Sequence, residues 1–341
     1  GGGGGGGIVE LHAFCPCVLY CTVGLHKFMS RPIGPIITDS GGFQIFSLAY
    51  GSVHNDVGQL NAEPTSELKR AAMRKKAASK GSNVVKVTEE GVRFRSYRDG
   101  RYVDLTPEST VQAQKQYLSD IIIPLDELPP YSTTRERLEE SVLLSHRWEE
   151  RSLREHLKDF PENVKGQAMY AVVHGGVEKE LRKLSVDYLT ALPFDGFAIG
   201  GSLGSCHEEL VDLLKFVVPK LPREKPNHLL GIADEKSILA AVPLGIDTFD
   251  SCFPTRLARH GTLLTKAGKL HVSNAKCARA FGKKICEGCS CATCTRYDLA
   301  YLHHLKKAKE PLLAQLATIH NIQYMNDMMA DIRKQILADE I

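Results

Sequence analysis

The chain has 341 residues, 43 Lys+Arg against 40 Asp+Glu, and a formal charge of +3. Charged residues at 24% and hydrophobic residues at 43% exclude a disordered chain, and so small a net charge neither announces nucleic acid by itself nor suits a general membrane-surface binder. No run approaches about 18 consecutive apolar residues, so no bilayer span is expected. At about 150 residues per domain, the length fits two domains or one large α/β barrel with an appendage. Gly1–Gly7 has no side chains to pack and is set aside from the fold argument.

From residue 33 onward one pattern repeats: a short apolar run ends in a polar or glycine-rich turn, and a helical stretch follows. The runs are Ile36–Thr38 before Asp39, Ile121–Leu125 before Asp126, Met169–Val173 before His174, Phe197–Ile199 before Gly200-Gly201, Leu229–Ile232, and Ile246–Phe249 before Asp250. Cys17–Cys21 is a candidate seventh. Runs of this length bounded by turns read as buried parallel strands. Helices are expected over 134–157, opened by a capping pair Thr133/Glu136 and carrying Leu138, Val142 and Trp148 on its apolar side, and over 178–191, 207–217 and 235–243. Such alternation fits an open doubly wound sheet or a closed barrel. The polar residue at nearly every strand end favours the barrel, which gathers its strand C-termini at one mouth.

Two stretches break the rhythm within an expected barrel domain of residues 8–275. Residues 66–83 form a basic, Ala-rich insertion with Lys69, Arg70, Arg74, Lys75, Lys76 and Lys80, read either as a solvated surface or as a polyanion-facing patch. Residues 84–105 read as a β-meander. Residues 276–341 form an expected C-terminal subdomain, cysteine-rich and then helical.

Four of the ten cysteines fall at 286, 289, 291 and 294. Neighbours so closely spaced pair poorly with one another but converge readily on one ion, which fits a reducing compartment and a metal site. Cys289, Cys291 and Cys294 with the later His320 make a closed four-coordinate set suited to one structural Zn²⁺. Cys286, His303 and His304 lie nearby and leave the exact membership open.

Asp39 opens TDSGGFQIF, and Asp250 lies in GIDTFDSCFPTRLARHG with Arg256 and Arg259 beyond it. Two carboxylates at one cleft suit glycosyl transfer, one as nucleophile and one as acid/base, although an Asp after a strand also serves as a helix N-cap. Asp126 is suited to accept from the donor edge of a base such as guanine. Gly200-Gly201 offers bare backbone, and Phe43 offers a stacking face or a core side chain.

With these residues in view, TDSGGFQIFSL, EEGVRFRSYRDG, DIIIPLDELPPY, DGFAIGGSLG, GIDTFDSCFPTR and CSCATC…IHN together resemble the tRNA-guanine transglycosylases, or queuine tRNA-ribosyltransferases, with detail closest to chlamydial-type members. The resemblance spans roughly residues 24 to 341. It implies a (β/α)8 TIM-type barrel with a zinc-binding subdomain. The barrel is expected to be N-terminally incomplete, because Gly1–Tyr20 stand where the family's first strand belongs.

The resemblance also implies exchange of the wobble guanine of GUN-anticodon tRNAs for queuine or its aminomethyl precursor. Carried over by motif, Asp250 is the nucleophile and Asp39 the acid/base. Ser40, Phe43, Asp126, His174, Gly200, Gly201 and Gly204 contact the base, and Arg256 and Arg259 contact tRNA. His174 stands where most members carry a Gln; Gly204 and Cys206 stand where bacterial members tend to carry Val and Glu, which points toward queuine as the preferred base. The expected assembly is a homodimer or a heterodimer with a homologous subunit, and the expected compartment the cytoplasm or an organelle. The alternative is a non-catalytic tRNA-binding partner subunit; retention of Asp39 and Asp250 speaks against it.

Overall fold

In the computed structural model, which describes residues 24–31, 33–42, 86–96, 99–131, 133–158 and 166–341, six strands form one parallel sheet. They are β1 (Ile37–Thr38), β5 (Ile121–Ile122), β6 (Ala168–Val173), β7 (Gly196–Ile199), β8 (Asn227–Leu229) and β9 (Thr248–Phe249). Their spatial order is the order of the chain, β1-β5-β6-β7-β8-β9. A doubly wound sheet reverses its strand order partway across, whereas a barrel wall does not, so the sequential order identifies the barrel type. A three-stranded antiparallel meander is inserted after β1: β2 (Lys86–Val87), β3 (Val92–Arg95) and β4 (Tyr102–Leu105). The Cys17–Cys21 strand, the 66–83 insertion and Phe43 lie outside the described residues.

The chain divides into two compact units. One comprises residues up to Leu230 together with Leu239–Phe249; the other comprises Gly231–Ile238 and Asp250–Ile341. In the first, α1 (Gly24–Phe28) precedes β1, and helices follow the later strands: α2 (Pro107–Gln116), α3 (Arg135–His156), α4 (Lys179–Thr190), α5 (His207–Val217) and α6 (Glu235–Ala241), whose opening turn belongs to the second unit. β6 is buried along nearly its whole length, as expected where both faces are covered. β3 alternates instead: Val92 and Phe94 are buried, Arg93 and Arg95 exposed. Val92 and Phe94 pack with Leu105, Leu125 and the fully buried Trp148 of α3, whose indole N–H donates to the Glu89 carbonyl at 2.8 Å.

Two local expectations shift. The N-cap of α3 is Thr134, whose hydroxyl accepts from Arg137 N–H at 3.3 Å, so the pair Thr133/Glu136 does not form the cap. The strand expected over 229–232 is Asn227–Leu229. Asn227 and His228 are polar yet buried: Asn227 donates from Nδ2 to the Gly245 carbonyl at 3.0 Å and from its backbone N–H to Asp247 at 2.7 Å, while its Oδ1 has no hydrogen-bond partner among the described residues, and His228 Nδ1 meets Thr248 Oγ1 at 2.8 Å.

The second unit contains α7 (Phe253–Arg259), the hairpin β10 (Thr262–Thr265) and β11 (Gly268–His271), α8 (Ala275–Ala278), α9 (Ala292–Arg296), α10 (Leu299–Ala308) and α11 (Leu312–Leu337). Its core gathers Ala258, Leu263, Val272, Leu302, Leu305, Leu316 and Ala317 with Cys291 and Cys294. Among the described residues no helix is long and apolar enough to cross a membrane.

Candidate functional site

In the first unit the candidate residues follow the C-terminal ends of the parallel strands. Asp39, directly after β1, is half-buried; its Oδ1 accepts from Ser40 N–H at 2.8 Å and lies 3.4 Å from the hydroxyl of the fully buried Ser40. That hydroxyl also accepts from Gly42 N–H at 3.3 Å. A Cβ on Gly42 would sit 2.5 Å from Asp126 Oδ1 and 2.9 Å from the Asp126 carbonyl. Glycine is therefore required for the Asp39 turn to close on Asp126.

Asp126 and His174 are both buried, and His174 Nε2 lies 3.1 Å from Asp126 Oδ2. The distance suits a hydrogen bond but the alignment does not: Nε2 has no aligned partner among the described residues. The pair thus retains hydrogen-bonding capacity for a ligand. Gly201, at φ +73°, lies so close to the imidazole that a Cβ would sit 3.3 Å from Nδ1. Gly200 N–H donates to the Val173 carbonyl at 3.2 Å, joining the ends of β7 and β6.

Behind this pair stands Glu149 of α3, fully buried. Its Oε2 accepts from Val172 N–H at 2.8 Å, and its Oε1 lies 3.9 Å from His174 Nε2 with no hydrogen-bond partner among the described residues. Burial, opposed by the Val172 N–H and reinforced by the charge of Asp126, holds its carboxyl well above the usual range. Sequence reasoning missed Glu149. It was detectable on the same helical stripe as Val142, Ser145 and Ser152, where a carboxylate must be buried with the stripe.

Gly204 has a reason to be glycine that is independent of any ligand. Its φ is +106°, and a Cβ there would sit 2.7 Å from Glu209 Cβ. Glu209 Oε2 accepts from Ser205 N–H at 2.7 Å, from the Ser205 hydroxyl at 3.1 Å and from the Tyr131 hydroxyl at 3.2 Å, which fixes this loop. Cys206 is buried at the N-cap of α5.

In the second unit Asp250, the residue after β9, is exposed, and its Oδ1 accepts from Gly231 N–H at 2.8 Å. Arg256, half-buried, and Arg259, exposed, occupy the last turn of α7. That helix is tied down by the fully buried Asn321 of α11, which donates to the Pro254 and Thr262 carbonyls at 3.0 Å each and accepts from Leu264 N–H at 2.9 Å.

The ligand atoms of Cys289, Cys291, Cys294 and His320 all lie within 4.8 Å of one another. His320 Nδ1 stands 3.8, 3.8 and 3.4 Å from the three sulfurs, and its Nε2 meets the Leu264 carbonyl at 2.8 Å. That outer bond orients the ring so that Nδ1 faces the thiols, as at metal sites. Burial first, with the neighbouring thiols adding to it, pushes the Cys294 thiol up to about 12, so a cation is needed to hold the thiolates. The four donors fit a metal ion. Cys286 lies apart, with Sγ 4.0 Å from the Leu264 carbonyl, and His303 is engaged with the Val272 carbonyl at 2.8 Å.

A parallel sheet wound in chain order, with acids and glycines after its strand ends, and a Cys3His cluster in a C-terminal unit together define a barrel-type enzyme with a metal-binding tail. The family model described as queuine tRNA-ribosyltransferase matches residues 17–341. A protein of Protochlamydia amoebophila named queuine tRNA-ribosyltransferase is 54% identical over 318 residues, covering 93% of this chain and 77% of that protein. Proteins of the same name from Chlamydia pneumoniae and Chlamydia trachomatis serovar L2 are 47% and 45% identical, each over 93% of this chain and 80% of the relative. The chain belongs to the queuine tRNA-ribosyltransferase family, a family of pentosyltransferases built on a TIM barrel.

Proposed function

We propose that the chain exchanges the wobble guanine of GUN-anticodon tRNAs for queuine or its 7-aminomethyl-7-deazaguanine precursor. Asp250 attacks the ribose anomeric carbon while the bond to guanine breaks, and Asp39 delivers the proton to the departing base. The resulting aspartyl-ribosyl ester is attacked by the incoming base, from which Asp39 removes a proton, and Asp250 leaves as a carboxylate. Asp126, His174 and the Gly201 backbone read the edge of the base, Gly200 lies beside them with its N–H held by the Val173 carbonyl, Ser40 holds Asp39, and Phe43 supplies a stacking face. Arg256 and Arg259 contact the anticodon backbone. Flipping a base out of a single-stranded loop is inexpensive, which suits a site at a barrel mouth. Cys289, Cys291, Cys294 and His320 hold one structural zinc ion, since three thiolates and an imidazole leave no open position for chemistry. The remaining partner is a second subunit, either a copy or a homologue, and the place of action is the cytoplasm.

The observation that carries this reading is the buried Asp126–His174 pair, 3.1 Å apart with capacity left for a ligand and the Gly201 backbone packed against it. It supports a planar, hydrogen-bonding ligand at that place. The test is incorporation of labelled guanine into a GUN-anticodon tRNA by the purified chain, together with trapping of a tRNA adduct. The parent is expected to do both; Asp250→Asn keeps the side-chain shape without the charge and is expected to trap nothing. An equally abundant adduct in Asp250→Asn would remove the nucleophile assignment. As to the incoming base, Cys206 carries no charge for an ammonium, and Glu209 is already engaged by Ser205 and Tyr131. Queuine is therefore expected to show the higher kcat/KM. Gly204→Val is a poor probe of that choice, because the positive φ strains any side chain there.

A further inference from the structure

Arg182 of α4 is fully buried and has no part in the reaction proposed above. Its guanidinium donates from Nε to the Gly176 carbonyl at 2.8 Å, from Nη1 to the Val173 carbonyl at 2.5 Å and from Nη2 to the Ser202 carbonyl at 2.9 Å. Val173 and Gly176 flank His174, and Ser202 follows Gly201. The Val173 carbonyl also receives Gly200 N–H at 3.2 Å, so one cation sits where the ends of β6 and β7 meet. The same helix supplies Ser185, whose hydroxyl accepts from His174 N–H at 3.1 Å and meets His146 Nε2 at 3.0 Å.

Burial lowers the Arg182 pKa to about 9, which still leaves a cation at neutral pH. Its hydrogen-bond partners among the described residues are carbonyl oxygens, with no carboxylate to offset the charge. Burying a charge in this way is costly, and an apolar side chain of similar size would serve packing alone at least as well. What an apolar side chain cannot do is hold three carbonyls from two loops in one rigid planar fork.

We propose that Arg182 is a positioning residue for base recognition: by clamping the Val173, Gly176 and Ser202 carbonyls it sets the spacing between the His174 ring and the Gly201 backbone. This inference rests on the reading that His174 and Gly201 recognise the base. The role is exerted through those groups, with no contact between Arg182 and substrate.

The test is steady-state guanine exchange on the whole 341-residue chain, with KM measured separately for guanine and for tRNA in Arg182→Met, Arg182→Lys and His174→Ala. Arg182→Met is expected to raise KM for guanine by about tenfold, the scale of a lost charge-assisted hydrogen bond, while kcat and KM for tRNA change little. Arg182→Lys retains the charge but meets fewer carbonyls, and is expected to fall between, at about threefold. His174→Ala reports on the underlying reading by its own rise in KM for guanine. An unchanged KM for guanine in Arg182→Met beside a raised one in His174→Ala overturns the positioning role and spares the base site. No change in either removes the base site and the inference with it. A parallel loss in kcat and in both KM values, with no recovery in Arg182→Lys, also overturns the inference, since a merely structural arginine behaves that way. If Arg182→Met does not fold, a parental KM for guanine in Arg182→Lys decides against it.

Discussion

Several buried polar side chains of the first unit meet the backbone singly, whereas two sites in the second unit each draw several groups together. In the first, Glu149 meets Val172 N–H, Arg182 meets three carbonyls, and Trp148 meets the Glu89 carbonyl. In the second, Asn321 ties α7, β10 and α11 together, and the Cys289/Cys291/Cys294/His320 cluster sits within the apolar core. A sheet wall provides many backbone groups and much apolar area, so the loss of a single polar contact is better tolerated there. A smaller unit of helices and one hairpin has less area to bury, so a metal ion held by that cluster is expected to matter more to its stability.

The largest expected effect tests that difference directly. Structural zinc sites contribute about 10–16 kcal/mol of apparent binding energy, so if the Cys289/Cys291/Cys294/His320 cluster holds the proposed ion, a strong chelator is expected to unravel the second unit, read as lost helical circular dichroism alongside metal release. Trp148, the chain's one tryptophan, lies in the first unit and is expected to keep its buried emission. A red shift of that emission in step with metal loss would break the contrast. Next in size, Trp148→Ala empties a fully buried site and is expected to cost about 3–5 kcal/mol in urea unfolding, with metal content unchanged.

Acid should act on the first unit through its histidines. Burial lowers His146 to about 4, with His174 adding to the effect, and likewise lowers His156 to about 4. As pH falls below the ordinary value of 6.5, the unfolded chain takes up protons that the folded chain refuses. The stability these groups contribute is therefore complete above 6.5 and is lost as pH falls through about 4, by up to about 3 kcal/mol for each. His146→Gln is expected to flatten this acid limb in melting curves taken across that range; an unchanged slope would show that the folded chain protonates His146 freely. Glu149 has the opposite sign: its raised pKa means that stability is lost as pH rises above the ordinary carboxylate value, and Glu149→Gln should relieve the loss.

The smallest effect sharpens the view that the first unit tolerates single losses. Thr106 caps α2 with a reciprocal pair of bonds, its hydroxyl accepting from Ser109 N–H at 3.1 Å while the Ser109 hydroxyl accepts from Thr106 N–H at 2.9 Å. Thr106→Ala is expected to cost about 1 kcal/mol, measured by urea midpoint, with guanine exchange intact.

The sequence by itself determined the strand–helix alternation, the residue that follows each strand, and the four donors of a cluster able to hold a metal ion. These are local properties: apolar runs bounded by turns, and soft ligands spaced a few residues apart, are written in neighbouring positions. His320 was also accessible, although it stands 26 residues beyond Cys294, because chemistry required a fourth donor. Tertiary structure alone decided that Glu149 is a buried acid beside His174, that Arg182 joins two loops, that Gly204 serves its own loop, and that Asn227 and His228 belong to a strand. Each depends on groups brought together from distant parts of the chain, such as the Ser202 carbonyl with Arg182 or Asp247 with Asn227. A polar residue in a helix or strand reads as exposed until folding supplies the partner that lets it be buried.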